Sequence, residues 1–379
     1  MALRPQPTAR AVAAALGASL VLAGCAQSPA ASPPPARPDC QAGKVVQSWS
    51  ISRLAAQVVA IPVQETDVAG ADPEIASGVG GLVLFGSSAP ANLGAQLRAA
   101  EAAAPQHIAP LVMTDEEGGA IQRMANLVGS IPSARAMGAT MLPAQIEQLA
   151  QALGGAMRSR GVTMDLAPVL DIDGGDGPSA ADPDGSRSFS LDPGAAARDG
   201  LAFANGLAAA GVTPVVKHFP GLGGASGNTD DGPAQTQPYS ALLTGGLAPF
   251  QAAISAGLPA VMVANASVPG LTSLPASLSH VAITSLLKHW LGFRGLVLTD
   301  SLSALAISSR GLTVPQASVQ ALAAGADLVL FGAGNPAEIL PAIRSAIAAA
   351  VESGRLSLPR LEDAATHVLA AKRFPICGH

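Results

Sequence analysis

Carboxylates, a lysine, a histidine and an amide recur at one kind of place in this chain, the ends of short apolar runs. Asp115-Glu116-Glu117 closes one run, Asp171 another, Lys217-His218 lies within the end of a third, and Asn265 and Asp300 close two more. A lone Asp after a strand can simply cap the next helix, and for Asp171 that reading stands level with a functional one. Several polar run ends together are better explained by a shared site. The spacings exclude several chemistries. There is no His-Glu-x-x-His or Cys-x-x-Cys metal pattern, no Gly-x-Ser-x-Gly elbow and no Gly-x-x-x-x-Gly-Lys phosphate loop. Carboxylate-driven cleavage of a glycosidic bond remains. In it one carboxylate attacks the anomeric carbon and a second group protonates the leaving oxygen. Charged groups with several hydrogen-bonding positions also suit the hydroxyls of a sugar.

Residues so far apart meet only if the elements between them bring the run ends to one face. The runs are QVVAIPV (57–63), GGLVLF (80–85), APLVMTD (109–115), TMDLAPVLD (163–171), TPVVKHF (213–219), PAVMVAN (259–265), RGLVLTD (294–300) and DLVLFG (327–332). Continuous apolar runs of this length predict strands buried on both faces. The Ala-rich stretches between them, among them 144–159, 193–210, 239–256 and 314–324, predict helices. Strand–helix alternation predicts a parallel sheet, and eight repeats predict an α/β fold closed as a single (β/α)8 TIM-type barrel. No Gly-x-Gly-x-x-Gly follows the first run, which counts against a dinucleotide-binding sheet. The tail, SGRLSLPRLEDAATHVLAAKR, predicts a capped amphipathic helix packed back on the barrel.

The N-terminus reads as an address. Arg4 and Arg10 precede an apolar run that ends in Leu22-Ala23-Gly24-Cys25, the order of a signal peptide. The small residues before Cys25 resemble a bacterial lipobox. Residues 1–24 are therefore expected to be a leader, with Cys25 the lipidated first residue of the exported protein. Residues 25–45, rich in Ala, Ser and Pro, are expected to form a tether, and 46–379 the catalytic domain. Cys40 and Cys377 are expected to pair as a disulfide in an oxidising compartment. Net charge is −5 with no basic block, so nucleic acid is excluded as a partner. A carbohydrate, and a membrane through the lipid anchor, are the expected partners of a monomer, with no metal and no cofactor.

Five motifs in order resemble glycoside hydrolase family 3, in its single-domain bacterial β-N-acetylglucosaminidase branch. They are TDEEGGAIQR (114–123), LAPVLDI (166–172), DGSRSFS (184–190), VVKHFPGLGG (215–224) and GLVLTDSLS (295–303). The resemblance implies a retaining exo-β-N-acetylglucosaminidase acting on wall-derived aminosugars. It implies Asp300 as the nucleophile. It also implies Asp115, Arg123, Arg187, Lys217 and His218 as ligands of a terminal N-acetylglucosamine. Donors on Lys217 and His218 would favour the ionised state of Asp300. Glu117 reads as a buried partner of these groups, and Arg123 has the alternative role of supporting Asp115.

The chain departs from the pattern at the acid/base. Relatives carry an Asp-Ser-His triplet on the loop after the fifth strand, where this chain has Asn228-Thr229-Asp230, and Leu222 replaces a common His. One reading makes Asp230 the acid/base, its pKa raised by Asp231, on a glycine-rich loop that closes over substrate. Either aspartate remains a candidate. The other reading disables the loop and leaves a non-catalytic aminosugar-binding lipoprotein. A β-glucosidase of the same family, and phosphate in place of water as acceptor, are further alternatives.

Overall fold

The computed structural model describes residues 44–373. The expected leader with its lipobox, Cys25, nearly all of the tether, and the Cys40–Cys377 pair lie outside the described residues.

The described strands are β1 (Val59–Gln64), β2 (Gly81–Phe85), β3 (Leu111–Thr114), β4 (Glu116–Gly118), β5 (Ile121–Gln122), β6 (Met164–Asp165), β7 (Thr213–Phe219), β8 (Ala260–Val263), β9 (Leu296–Thr299) and β10 (Val329–Leu330). All but β4 and β5 pair in parallel in the order β10-β1-β2-β3-β6-β7-β8-β9. A parallel bridge from Leu298 to Leu328 joins β9 to the chain entering β10 and closes the ring. The expected barrel is thus present, with one strand in each of the eight apolar runs.

Side-chain alternation explains why those runs are apolar throughout. Ala60, Val83, Leu296 and Leu298 point into the barrel with Met113, Met164 and Met262. Their neighbours Val59, Ile61, Leu82, Leu84 and Val297 point out to the helical layer. Each strand residue therefore enters one of two cores, and a fully buried Val, Leu or Ile contributes about 1.5–3 kcal/mol.

Five helices carry much of the outer layer and its closure: α1 (Pro143–Ser159), α2 (Pro193–Ala209), α3 (Val314–Ala324), α4 (Pro336–Glu352) and α5 (Leu358–Ala371). Helix α1 buries Ile146, Ala150, Leu153 and Met157, one stripe at helical spacing. It meets α2 closely, because a Cβ on Gly206 would stand 2.2 Å from the Glu147 carbonyl oxygen. Helix α2 is capped by Asp192, which accepts from Ala195 N, and α3 by Thr313 with Gln316 reaching back. The tail helix α5, capped by Ser357, inserts Val368 into the inner core and plugs the barrel floor, as expected.

Three details differ from the sequence expectation. The helix expected over 239–256 is divided into Tyr239–Ala241, Leu242–Gly246 and Ala248–Ser255. Gly245, Gly246 and Pro249 weaken the helical ladder there. The fourth strand pairs only over Met164–Asp165, since Pro168 has no N–H to donate. Extended chain carries on to Asp171 through the Leu166 N–Thr114 O and Leu170 N–Lys217 O bonds. The β4–β5 hairpin, which holds Glu116 and Glu117, was not expected.

Candidate active site

The C-terminal ends of the strands surround a cavity of about 240 Å³. All seven residues expected to act in the active site line it: Asp115, Arg123, Arg187, Lys217, His218, Asp230 and Asp300. Parallel pairing accounts for the convergence, since every strand delivers its C-terminal end to the same face. Asp300 is the first residue after β9, Asp115 follows β3, and Lys217 and His218 immediately precede Phe219, the last residue of β7.

The cavity wall carries a charged network. Arg187 grips Glu117 with two bonds, Nε–Oε2 at 2.8 Å and Nη2–Oε1 at 2.9 Å. Lys217 Nζ reaches Glu117 Oε1 at 2.6 Å and Asp115 Oδ1 at 2.8 Å. Arg123 stands farther out, its Nη2 3.9 Å from Asp115 Oδ2 and its guanidinium over the Phe85 ring. Burial opposes the ionisation of Glu117, but Arg187 and Lys217 outweigh it and hold the carboxyl well below the usual carboxylate range. Burial likewise opposes the charge on Lys217, and Asp115 and Glu117 reverse the balance, so its pKa rises. Glu117 is thus a buried partner of two cations, as the sequence reading has it.

Behind this network Asp171 holds the β7 end in shape. Its Oδ2 accepts from His218 N at 2.9 Å and meets His218 Nδ1 at 2.7 Å, while Oδ1 accepts from Leu222 N at 2.6 Å. Asp171 is therefore not a helix cap. Burial pushes the Asp171 pKa up to about 7, but its oxygens already accept from two main-chain N–H groups, so the contact with His218 is best made by an Nδ1–H, which leaves Nε2 as an acceptor 3.4 Å from Arg187 Nη2. Burial, then the Arg187 charge, press the His218 pKa down to about 4, so the ring is neutral near pH 7.

Asp184, at the start of the Arg187 segment, was not singled out in the sequence. It is fully buried, and neither carboxyl oxygen has a hydrogen-bond partner among the described residues. Burial, then the neighbouring Asp171, push its pKa up to about 8, so it keeps its proton at neutral pH. Its motif hints at Arg187, but nothing in its spacing marks a buried acid. Asp171, Asp184 and His218 bring three possible metal-ligand atoms within 4.8 Å of one another. Three N–H donors already occupy Asp171, an arrangement that fits a hydrogen-bonded support.

Asp300 and Asp230 approach the cavity from different loops. Asp300 Oδ1 accepts from Ser301 N at 2.7 Å. Buried Asn265 supports the same turn, donating to Ser301 O at 2.7 Å and accepting from Ser277, and so acts on the fold. The expectation that Lys217 and His218 favour ionised Asp300 is only half met. Both pull its pKa down, but burial prevails, Asp230 adds to it, and the net shift is upward. Burial first and Asp231 second raise Asp230 as well.

The loop carrying Asp230 is tied down on three sides. Asn228 N donates to Ala180 O at 2.9 Å, Ala306 N to Thr229 O at 3.0 Å, and Gly224 N to Asp173 Oδ2 at 2.7 Å. Two of its glycines serve this seating. A Cβ on Gly223 would lie 2.0 Å from the Ile172 carbonyl oxygen, and Gly224 has φ +65°.

Comparison with known proteins follows the same outline. The family model described as "Glycosyl hydrolase family 3 N terminal domain" matches residues 57–371. The chain is 36% identical over 275 residues to the beta-hexosaminidase LpqI of Mycobacterium tuberculosis, covering 70% of this chain and 69% of that protein. Among solved structures, a family member from Mycobacterium smegmatis superposes with a TM-score of 0.78 at 35% identity, over 86% of this chain and 98% of that one. A family 3 beta-N-acetylglucosaminidase from Paenibacillus gives 0.78 at 31% identity, over 88% of this chain and 64% of that one.

Proposed function

The chain belongs to glycoside hydrolase family 3, and from that premise we propose that it is a retaining exo-β-N-acetylglucosaminidase with Asp300 as nucleophile and Asp230 as acid/base. The observation that carries the assignment is that these two carboxyls, from the β9 and β7 loops, line one cavity with the Lys217–Arg187–Glu117–Asp115 network. The Asp300 carboxylate attacks C1 of a terminal N-acetylglucosamine. The bond to the leaving oxygen breaks as Asp230 gives that oxygen its proton, leaving a glycosyl ester on Asp300. Asp230, now ionised, takes a proton from water, whose oxygen attacks C1 and frees Asp300. A raised pKa suits an acid that must hold its proton until the bond breaks. Asp115, Arg123, Arg187, Lys217 and His218 bind the sugar. Asp115 accepts from hydroxyls, the three cations donate, and His218 Nε2 accepts.

The export reading belongs to the same proposal. Residues 1–24 direct secretion, and lipid on Cys25 anchors the domain to the membrane, where wall-derived aminosugars are its substrates. Among the described residues no helix is long and apolar enough to cross a membrane. Mass spectrometry of the mature N-terminus would read the acyl groups directly, and an unmodified Cys25 would overturn the anchor.

Turnover of an aryl β-N-acetylglucosaminide tests the chemistry. Asp300→Ala should abolish it. Asp230→Ala should cost about 10²–10⁴-fold on natural disaccharides and far less on substrates with activated leaving groups. Equal losses on both would remove Asp230 from the acid role. No turnover by the parent would overturn the enzyme assignment and leave a glycan-binding protein.

A further inference from the structure

The proposed mechanism gives no part to Glu116, the first residue of β4. Glu116 is fully buried, as is Asp165, the last residue of β6, and neither lines the active-site cavity. A buried carboxyl is unfavourable unless its oxygens are bonded. Here one oxygen of each is bonded, and the two bonds run in series. Asp165 Oδ1 accepts from Glu116 N at 3.0 Å, and Glu116 Oε1 accepts from Met124 N at 2.7 Å. The second oxygen of each has no hydrogen-bond partner among the described residues.

The series ends beside two of the proposed sugar ligands. Asp115 precedes Glu116, and Arg123 precedes Met124. The two ligands face each other at the base of the β4–β5 hairpin, where Arg123 N donates to Asp115 O at 3.3 Å. The ladder beyond them is short and irregular: Glu116 pairs with Gln122 and Gly118 with Ile121, with a register shift between. Of the two bonds that close the base, the one made by the Glu116 side chain is the shorter.

Arg123 depends on that closure more than the other cations of the site do. Lys217 and Arg187 are each fixed by two short bonds to carboxylates. Arg123 Nε has no hydrogen-bond partner among the described residues, and Nη2 stands 3.9 Å from Asp115 Oδ2, beyond hydrogen-bond range. The guanidinium otherwise rests over Phe85, 5.5 Å from the ring centroid. Its main chain therefore decides where it stands. We infer that Glu116, seated by Asp165, is a positioning residue that sets Arg123 against Asp115 for sugar binding. The sugar's part rests on the glycosidase reading; the placement of Arg123 does not. Burial pushes the Glu116 pKa up to about 7, and the bond from Met124 is the largest of the effects that pull it back. Ionised or protonated, the carboxyl keeps an oxygen to accept from Met124 N, so Gln should serve in its place.

The test uses the full chain with Glu116→Gln, which keeps the acceptor, Glu116→Met, which keeps an unbranched side chain and removes it, and Arg123→Ala. Crystal structures give the first reading. In Glu116→Met the Arg123 guanidinium should leave the Phe85 ring while Lys217, Arg187 and Glu117 stay in place, and in Glu116→Gln nothing should move. Turnover of an aryl β-N-acetylglucosaminide gives the second. Glu116→Met should raise KM about tenfold, the scale of one charge-assisted hydrogen bond, with kcat within about twofold of the parent. Glu116→Gln should leave both at the parental values. In the Arg123→Ala background Glu116→Met should add no further loss, because the group it positions is gone. An Arg123 that keeps its place in Glu116→Met, or losses that multiply in the double variant, would overturn the inference. If Glu116→Met does not fold, Glu116→Asp, one methylene too short to reach Met124 N, enters the same comparisons. Displacement of Arg123 as expected, in a protein whose parent turns over no aminosugar, would count against the glycosidase reading alone.

Discussion

Asp184 shows how strongly environment governs a single carboxyl. With its pKa up to about 8, it is neutral in the folded protein and ionised in the unfolded chain across the physiological range. A raised folded pKa means that its contribution is complete below the unfolded value of about 4 and is lost as pH rises through 8. Asp184→Asn, which mimics the neutral acid, should therefore be more stable than the parent above pH 4. The gap should widen by up to about 1.4 kcal/mol per pH unit until pH 8. Denaturant titrations at several pH values would check this, and a gap that stays flat would place a charge on Asp184. The catalytic pair carries a second pH signature. Asp300 works ionised and Asp230 protonated, and both pKa values are raised. The profile of kcat/KM should be bell-shaped, with both limbs displaced upward from those of unperturbed aspartates, and Asp230→Asn should remove the alkaline limb. An unaltered alkaline limb in that variant would assign the acid elsewhere.

Among the elements, the loop after β7 positions the acid. The sequence reading took its glycines as the sign of a segment that swings shut. In the structure Gly223 lies against Ile172 and Gly224 takes a left-handed φ, while main-chain bonds seat the loop on the chain after β6 and after β9. Gly223→Ala should push the loop off Ile172. The expected result is a loss of more than tenfold in kcat on natural glycosides and about 1–3 kcal/mol of stability. Activity at parental level would mean that the contact yields without cost. Helix α5 is pinned at the opposite end of the barrel. Asp327, fully buried, meets Lys288 at 3.0 Å, Arg360 at 2.6 Å and His367 at 3.2 Å. Burial opposes its charge, but His367, Lys288 and Arg360 hold its pKa well below the usual range, while Asp327 outweighs burial and raises that of His367. The Asp327 part is lost as pH falls through its depressed pKa. The His367 part is complete below about pH 6.5 and is lost as pH rises through its raised pKa. Asp327→Asn should therefore cost most in the window between, about 3 kcal/mol by thermal unfolding, and less on either side.

For the molecule as a whole, the two ends of the barrel divide the work. The floor holds Asp327 and the inserted Val368, and the opposite face holds every proposed catalytic and binding group. The gathering of the catalytic and binding groups on one face was readable from the residues. Eight apolar runs ending in polar side chains imply buried parallel strands, and parallel strands force those ends together, so Asp115, Lys217, His218 and Asp300 converge by topology alone. The five ordered motifs added Arg123 and Arg187, and the missing loop histidine turned attention to Asp230. Tertiary structure decided the rest, because the state of a buried group depends on what stands beside it in space and not on its neighbours in the chain. Asp171 binds the β7 end instead of capping a helix, Asp184 keeps its proton, and His218 offers a lone pair where a donor was expected. Gly223, which read as part of a hinge, proves to be a close contact with Ile172, because the chain after β6 and the chain after β7 are neighbours in the closed ring.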